Sequence, residues 1–439
     1  MRILFATLAA DGHVNPLTGI AVRMRDLGHD VRWYTGSQYA RRLESLGIPH
    51  VPYRRADEHL DSESLASLPE RKRLHGPALI RYDFEKVFLA NVESYLADTR
   101  DIDAEFPFDV MFCDTGFLSA RLVRDVLGKH VCGVGVSPSI ETDPDLPPNF
   151  IGKQPARSAA GRAVHRTMAA AMDRMVLAHG KGLYNAILAK PGLPPVTGSI
   201  FDEFYRGQDA IFQSGVPGFD YTRRNVNPRS RFVGALLPYR VPGPSTFPYG
   251  SRVHDGQRVV LVSQGTIDNH DPGKLITPAL DALVDTGALV VVATGHRNTD
   301  ELQRQYPHKN VVIEDYIDFD AVLQRADLYV TNGGYGGVLL SLTNGVPMVT
   351  AGVREGKNDI NARVAYFQVG IDLRTEKPSS SAIAAAAERV LGEPQWKANA
   401  MRLRDEFAQY RPLDIIEDYL ATTLPNAWTR RELARPQSQ

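Results

Sequence analysis

The stretch "TNGGYGGVLLSLTNGVP", residues 331–347, decides how the rest of the chain is read. Ahead of it, "DLYVT" is a short apolar run rich in β-formers and predicts a strand. Behind it, Val338, Leu339 and Leu342 fall at helical spacing, and Gly345 and Pro347 are stop signals. Gly333, Gly334, Gly336 and Gly337 therefore occupy a strand-to-helix turn. Such a turn aims free backbone N–H groups and the positive end of a helix dipole at one point. Glycine lets an anion come close to that backbone. A tight turn with no ligand needs one or two glycines, so four point to a phosphate. No lysine follows as in a P-loop, and the dinucleotide spacing is absent, so the turn suggests an anion without naming it.

Outward from this turn, strand and helix signals alternate. In the first half they run "ILFAT", "NPLTGIAVRMRDLG", "HDVRWYTG", "SQYARRLESLG", "IPHVPY", "DVMFCD", "RLVRDVLG" and "HVCGVGV". A proline- and glycine-rich segment, residues 234–256, interrupts the pattern. It restarts with "QRVVLVSQG", a helix near 272–286, "ALVVVATG", "VVIEDYI", "DLYVTNGG" and "PMVTAG". This predicts an α/β chain with two doubly wound parallel sheets. The expected division is a first domain over 1–238, a linker over 239–257 and a second domain over 258–408. A last helix over 409–425 and a polar, disordered tail over 426–439 complete it. Residues 55–105 and 140–205 are long helical insertions, of the kind that build ligand sites. Both halves open alike, in "RILFATLAADGHVNPL" and "RVVLVSQGTIDNHDPGKL". Ligands bind at the carboxyl ends of such strands, so two facing domains would make a cleft.

The bulk properties narrow the function classes. A net charge of −1 over 439 residues gives no electrostatic case for nucleic acid or acidic lipid. The basic runs "PERKRLHG" and "WTRRELARP" are short and read as solvated surface. Cys113 and Cys132 sit in apolar strand-like runs, which predicts buried free thiols and a reducing cytoplasm. The opening "MRILFATLAADGH" is broken by Asp11 and His13, so neither a leader peptide nor a membrane span is expected there. The Asp-x-Asp at Asp143 and Asp145 has no partner ligand, and no zinc or serine-hydrolase motif occurs.

Chemistry concentrates at the predicted strand ends. His13 follows the first strand, where an imidazole is a plausible general base or merely a helix cap. Asp114 ends "DVMFCD" in the same sheet, where it would either orient that imidazole or cap a turn. "SQGT" (Ser263 to Thr266), "EDYIDF" (Glu314 to Phe319) and "REGKNDINARV" (Arg354 to Val364) lie at strand ends of the second half.

Taken together, "GHVNPLTGIAVRMRDLGHDV", Asp114 and "TNGGYGGVLLSLTNGVPMV…NARV" resemble the family 1 glycosyltransferases of the GT-B fold. The likeness runs from residue 1 to about residue 424. It implies two facing Rossmann-like domains with the active site in the cleft between them. His13 falls on the family's catalytic base and Asp114 on the base's partner. Gly12, Gln264, Gly265, Thr266, Tyr316, Ile317, Asn332, Gly333, Gly334, Tyr335, Gly336, Gly337, Glu355, Gly356 and Lys357 fall around the nucleotide-sugar donor. The glycine turn would hold the diphosphate, and Tyr316 and Ile317 would line the nucleobase pocket. The implied activity is inverting transfer of a sugar from a nucleotide diphosphate to a small, partly apolar acceptor. The donor is a co-substrate, no metal or other cofactor is expected, and the resemblance leaves the oligomeric state open. Two further readings stand beside it: a non-catalytic sugar-nucleotide-binding auxiliary protein, and a GT-B sugar-nucleotide epimerase. The chain departs from the common pattern at Asn332 (usually His), Gly337 (Ser or Thr) and Leu340 (often Glu). Glu355 and Lys357 stand in for the usual acid–glutamine pair.

Overall fold

Two parallel sheets, one from each half of the sequence, organise the chain. The computed structural model describes residues 1–58, 68–241, 243, 245–265 and 269–429. The first sheet has the order β3-β2-β1-β4-β5-β6-β7 and the second β10-β9-β8-β11-β12-β13. Its leading strands are β1 (Arg2–Ala6), β2 (Asp30–Thr35), β3 (His50–Pro52), β4 (Val110–Asp114) and β5 (His130–Gly135). β6 (Ala210–Ser214) and β7 (Ser230–Gly234) complete it. The second sheet holds β8 (Val259–Ser263), β9 (Leu289–Ala293), β10 (Val311–Glu314), β11 (Leu328–Thr331), β12 (Met348–Thr350) and β13 (Gly370–Asp372). Within each sheet the chain first winds outward from its opening strand on one side, then continues on the other. The order reverses between β1 and β4 in one sheet and between β8 and β11 in the other. Such reversal points open a crevice at the carboxyl ends of the strands.

Strands such as β8 (VVLVS) and β9 (LVVVA) are buried from end to end, as parallel strands covered on both faces must be. Register aligns the functional ends: Thr331 of β11 lies beside Ser263 of β8 and Thr350 of β12. In the first sheet Ala6 of β1 lies beside Cys113 of β4, which puts Asp114 one residue beyond. Cys113 and Cys132 are both buried and free.

The chain end returns to the first sheet. Ile416 and Leu420, on the helix Pro412–Thr423, are fully buried in the core of the first domain. Arg23 pairs with Glu417 at 2.7 Å, and the Tyr419 hydroxyl meets His130 at 3.1 Å. The expected polar tail from 426 needs correction at its start. A short helix, Pro425–Thr429, sets Trp428 against His29 with ring centroids 4.8 Å apart. The rest of the expected tail, 430–439, lies outside the described residues.

Candidate active site

The helix Asp11–Asp26 starts four residues after β1, and His13 lies in its first turn. Its Nδ1 is 2.8 Å from Oδ1 of Asp114. Asp114 is completely buried at the end of β4. Its Oδ2 accepts from the Leu8 N–H at 3.0 Å and its Oδ1 from the Gly116 N–H at 2.8 Å. A carboxylate fixed by two backbone donors takes its third bond from an Nδ1–H. That choice of tautomer leaves Nε2 with its lone pair. Residue 116 must stay small. A Cβ there would lie 2.8 Å from the Asp114 carboxylate, 3.0 Å from the Phe88 ring and 3.2 Å from the His13 ring. Phe88, from the first long insertion, borders the same Gly116 position as the imidazole and belongs to an aromatic cluster with Phe84 and Phe204.

The second sheet presents its glycine turn from the opposite side. The helix Asp11–Asp26 and the helix Tyr335–Thr343 approach each other. Each has an exposed glycine in its first turn, Gly12 and Gly336, where a Cβ would meet nothing within 4 Å. The first intrahelical bond of the second helix joins the Val338 N–H to the Gly334 carbonyl. The N–H groups of Tyr335, Gly336 and Gly337 thus have no partner within the helix.

The four glycines divide their work. Gly333 has φ 86°, and a Cβ on it would run into the Asn361 side chain. Gly337 lies over the Tyr329 hydroxyl, and the Gly334 N–H donates to Asn332 Oδ1 at 3.3 Å. Gly336 alone combines exposure with open space. The turn's glycine content is therefore partly a packing requirement and only partly a matter of anion access.

Several expected donor contacts have other employment. Asn332 is buried; its amide donates to the Gln264 carbonyl and accepts from Gly334, stapling the ends of β8 and β11. Gln264 is buried too: its side chain donates to the Asp271 carbonyl at 2.9 Å and accepts from Leu275 at 3.1 Å. Tyr335 reaches across the cleft, its hydroxyl donating to the Ser214 carbonyl at the end of β6 at 2.8 Å. Burial pushes that phenol far above its ordinary pKa. Gly265, with φ 88°, packs against Asn332. Thr266 lies outside the described residues.

Glu355, Gly356 and Lys357 form the turn after β12. Glu355 has φ 57°, and its carboxylate bonds Lys357 Nζ at 2.7 Å. Burial raises that carboxyl, but the charges of Lys357, Arg71 and Lys274 outweigh it and hold it below its usual range. Arg71 comes from the first insertion, where it is buried against Asp83. The second insertion also grips this turn. Phe150 and Gly152 donate N–H groups to Asp359, and Asn358 donates to the Phe150 carbonyl at 2.7 Å. Burial raises the Asp359 carboxyl, against the pull of those donors. Arg363 completes the clamp, bonding Asp220 at 3.0 Å and covering Tyr221.

At the far side of the second sheet Tyr316 is 65% exposed just beyond β10, while Ile317 is half-buried in the core below. The loop after β9 meets Tyr316. His296 (φ 65°) and Asn298 (φ 59°) both adopt the left-handed conformation, which costs about 1–3 kcal/mol per non-glycine residue. His296 Nδ1 lies 2.9 Å from Asp315 Oδ2. The Thr299 hydroxyl, with His296, holds the Asp315 carboxyl below its usual range. Reading the sequence missed Arg71, Phe88, Phe150, Asp359 and His296. Only "REGKNDINARV" gave a signal, and it read as a charged turn. Among the described residues no group of three or more His, Cys, Asp or Glu side chains could hold a metal ion. None of their helices is long and apolar enough to cross a membrane.

Residues 277–421 match the family of the erythromycin biosynthesis protein CIII-like C-terminal domain. The chain is 33% identical over 410 residues to 4'-demethylrebeccamycin synthase of Lentzea aerocolonigenes, covering 93% of this chain and 96% of that protein. It is 29% identical over 444 residues to UDP-glucosyltransferase 1 of Beauveria bassiana, covering 95% and 94%. Among solved structures, the calicheamicin glycosyltransferase CalG4 superposes with a TM-score of 0.72 at 19% identity, covering 96% of this chain and 98% of that one. The spinosyn rhamnosyltransferase SpnG complexed with thymidine diphosphate gives 0.69 at 16%, covering 95% and 99%. With two Rossmann-like sheets facing across a cleft and relatives of this kind along nearly its whole length, the chain is a family 1 glycosyltransferase of the GT-B fold.

Proposed function

We propose that this chain is an inverting transferase that moves a sugar from a uridine or thymidine diphosphate donor onto a hydroxyl of a small, partly apolar acceptor. The observation that carries the reading is the buried Asp114 carboxylate, held by the Leu8 and Gly116 N–H groups and aimed at Nδ1 of His13. A protein that only bound nucleotide sugar would have no use for that arrangement, and this favours catalysis over the auxiliary reading. An acceptor hydroxyl gives its proton to His13 Nε2 as its oxygen forms a bond to the anomeric carbon. The bond from that carbon to the phosphate oxygen breaks on the opposite face, so configuration inverts in one displacement. The nucleoside diphosphate leaves with the electron pair, and Asp114 stabilises the imidazolium that remains. The first-turn N–H groups of Tyr335, Gly336 and Gly337 meet the departing charge, which lets transfer proceed without a metal ion. In this reading Glu355 and Lys357 bind the sugar hydroxyls.

Support for the two donor nucleotides comes from relatives named as UDP-glucosyltransferases and from a structural neighbour complexed with thymidine diphosphate. Phe88, which shares the Gly116 position with the His13 ring, supports an apolar acceptor wall. Buried free thiols suit a reducing cytoplasm. The test is a panel of uridine and thymidine diphosphate sugars. Slow donor hydrolysis, together with a higher melting temperature in one free diphosphate, is expected. Stabilisation without hydrolysis or transfer of any donor would instead support the auxiliary reading.

A further inference from the structure

Tyr316 stands at the carboxyl end of the second sheet with most of its ring in solvent. A tyrosine so exposed would ordinarily move among rotamers. Here a neighbouring ring constrains it: the His296 imidazole meets Tyr316 edge-to-face, with centroids 4.3 Å apart and planes at 86°. Whichever ring presents its edge, at least one face of Tyr316 stays open. His296 is itself tethered. Its Nδ1 bonds Asp315, whose other carboxylate oxygen accepts from the Thr299 hydroxyl. The Gly295 N–H donates to the Asp315 carbonyl at 2.8 Å, and the backbone at His296 and Asn298 is left-handed. The loop and the helix start that follows it are thus tied to Asp315 at three points, which fixes the imidazole beside the Tyr316 ring.

Resting on the donor reading above, we propose that His296 is a positioning residue for Tyr316. Through its tether to Asp315 it holds the tyrosine ring ready to stack on the nucleobase. A platform fixed before binding spares the complex the cost of ordering it, so the contribution appears as affinity for the base and not for the phosphates.

The experiment titrates uridine diphosphate, thymidine diphosphate and inorganic pyrophosphate into wild type, His296→Ala and His296→Asn. Loss of an aromatic pair should weaken the preferred nucleoside diphosphate by about 3- to 10-fold in His296→Ala. Pyrophosphate affinity should not change. Asparagine accepts the left-handed backbone and can still donate to Asp315, but it lacks the ring. His296→Asn should therefore lose as much as His296→Ala. Wild-type nucleotide affinity in His296→Ala overturns the proposal. So does an equal loss for pyrophosphate, or full retention by His296→Asn, since either makes His296 a support for the loop alone. If the wild type binds neither nucleoside diphosphate, the donor reading itself fails.

Discussion

The two sheets reverse their strand order at equivalent places, yet they furnish those places differently. At the β1/β4 reversal the chain supplies side-chain chemistry: an imidazole and a fully buried carboxylate locked by backbone N–H groups. At the β8/β11 reversal it supplies backbone: a helix start with free N–H groups, an open Gly336, and side chains tied up in holding the loops. The two reversals have the same topology, and in the proposed reading the residues at each strand end decide whether that place moves a proton or cradles a charge. This is the division of labour expected when one domain activates an acceptor and the other holds a leaving group.

The comparison breaks most visibly at the base. Transfer by His13→Ala should fall about 10²- to 10⁴-fold, the usual contribution of a general base. Asp114→Asn should fall less, because the base survives while its orientation and charge partner suffer. Steady-state rates of both variants with one active donor check the ranking, and equal rates for His13→Ala and wild type would remove the base assignment.

On the backbone side, Gly333 and Gly336 can be set against each other. Gly333→Ala places a side chain at φ 86° and against Asn361, so it should lose about 2–4 kcal/mol of stability. Gly336→Ala should be as stable as wild type or slightly more so. Its methyl group would enter the open space, and nucleoside diphosphate affinity should drop about tenfold. Thermal melts and titrations separate the two. A destabilised Gly336→Ala with normal affinity would show that its space is not the anion site.

A smaller effect concerns the turn after β12. The Glu355 carboxyl is raised by burial but lowered more by Lys357, Arg71 and Lys274, so its folded pKa lies below the unfolded one. The stabilisation it gives is complete above the unfolded carboxyl value of about 4.3 and is lost as pH falls through the folded value. Glu355→Gln should melt below wild type at neutral pH, and the gap should close in acid. A gap that widens in acid would contradict the sign. The smallest expected effect is none at all: chelation with EDTA should leave transfer unchanged, and a loss restored by magnesium or manganese would show that the helix start does not suffice.

Much of this was legible in the chain. Long apolar runs between glycines marked β1, β4, β8, β9 and β11, because buried parallel strands must be apolar throughout. His13 and Asp114 could be placed on one edge because each closes or follows such a run. β6 and β7 were not read, since only a single 3-10 turn, Pro217–Phe219, lies between them and the alternating rhythm fails there. β13 spans three residues, Gly370–Asp372, too few to show any period. Asn332 and Gln264 look like ligand groups in sequence, and only three-dimensional contacts reveal that they staple loops. Tyr335, Phe150 and Asp359 are non-local in the same way: each has its partner in the other domain, at a sequence distance no pattern records.

The central claim, that chemistry and nucleotide binding belong to different sheet edges, is tested most directly by one titration. The affinity of His13→Ala for the preferred nucleoside diphosphate is measured beside its turnover. The account predicts an affinity within about twofold of wild type in a protein whose transfer is nearly gone. Loss of affinity in step with turnover would mean that His13 also holds the nucleotide, and the division between the two edges would fall.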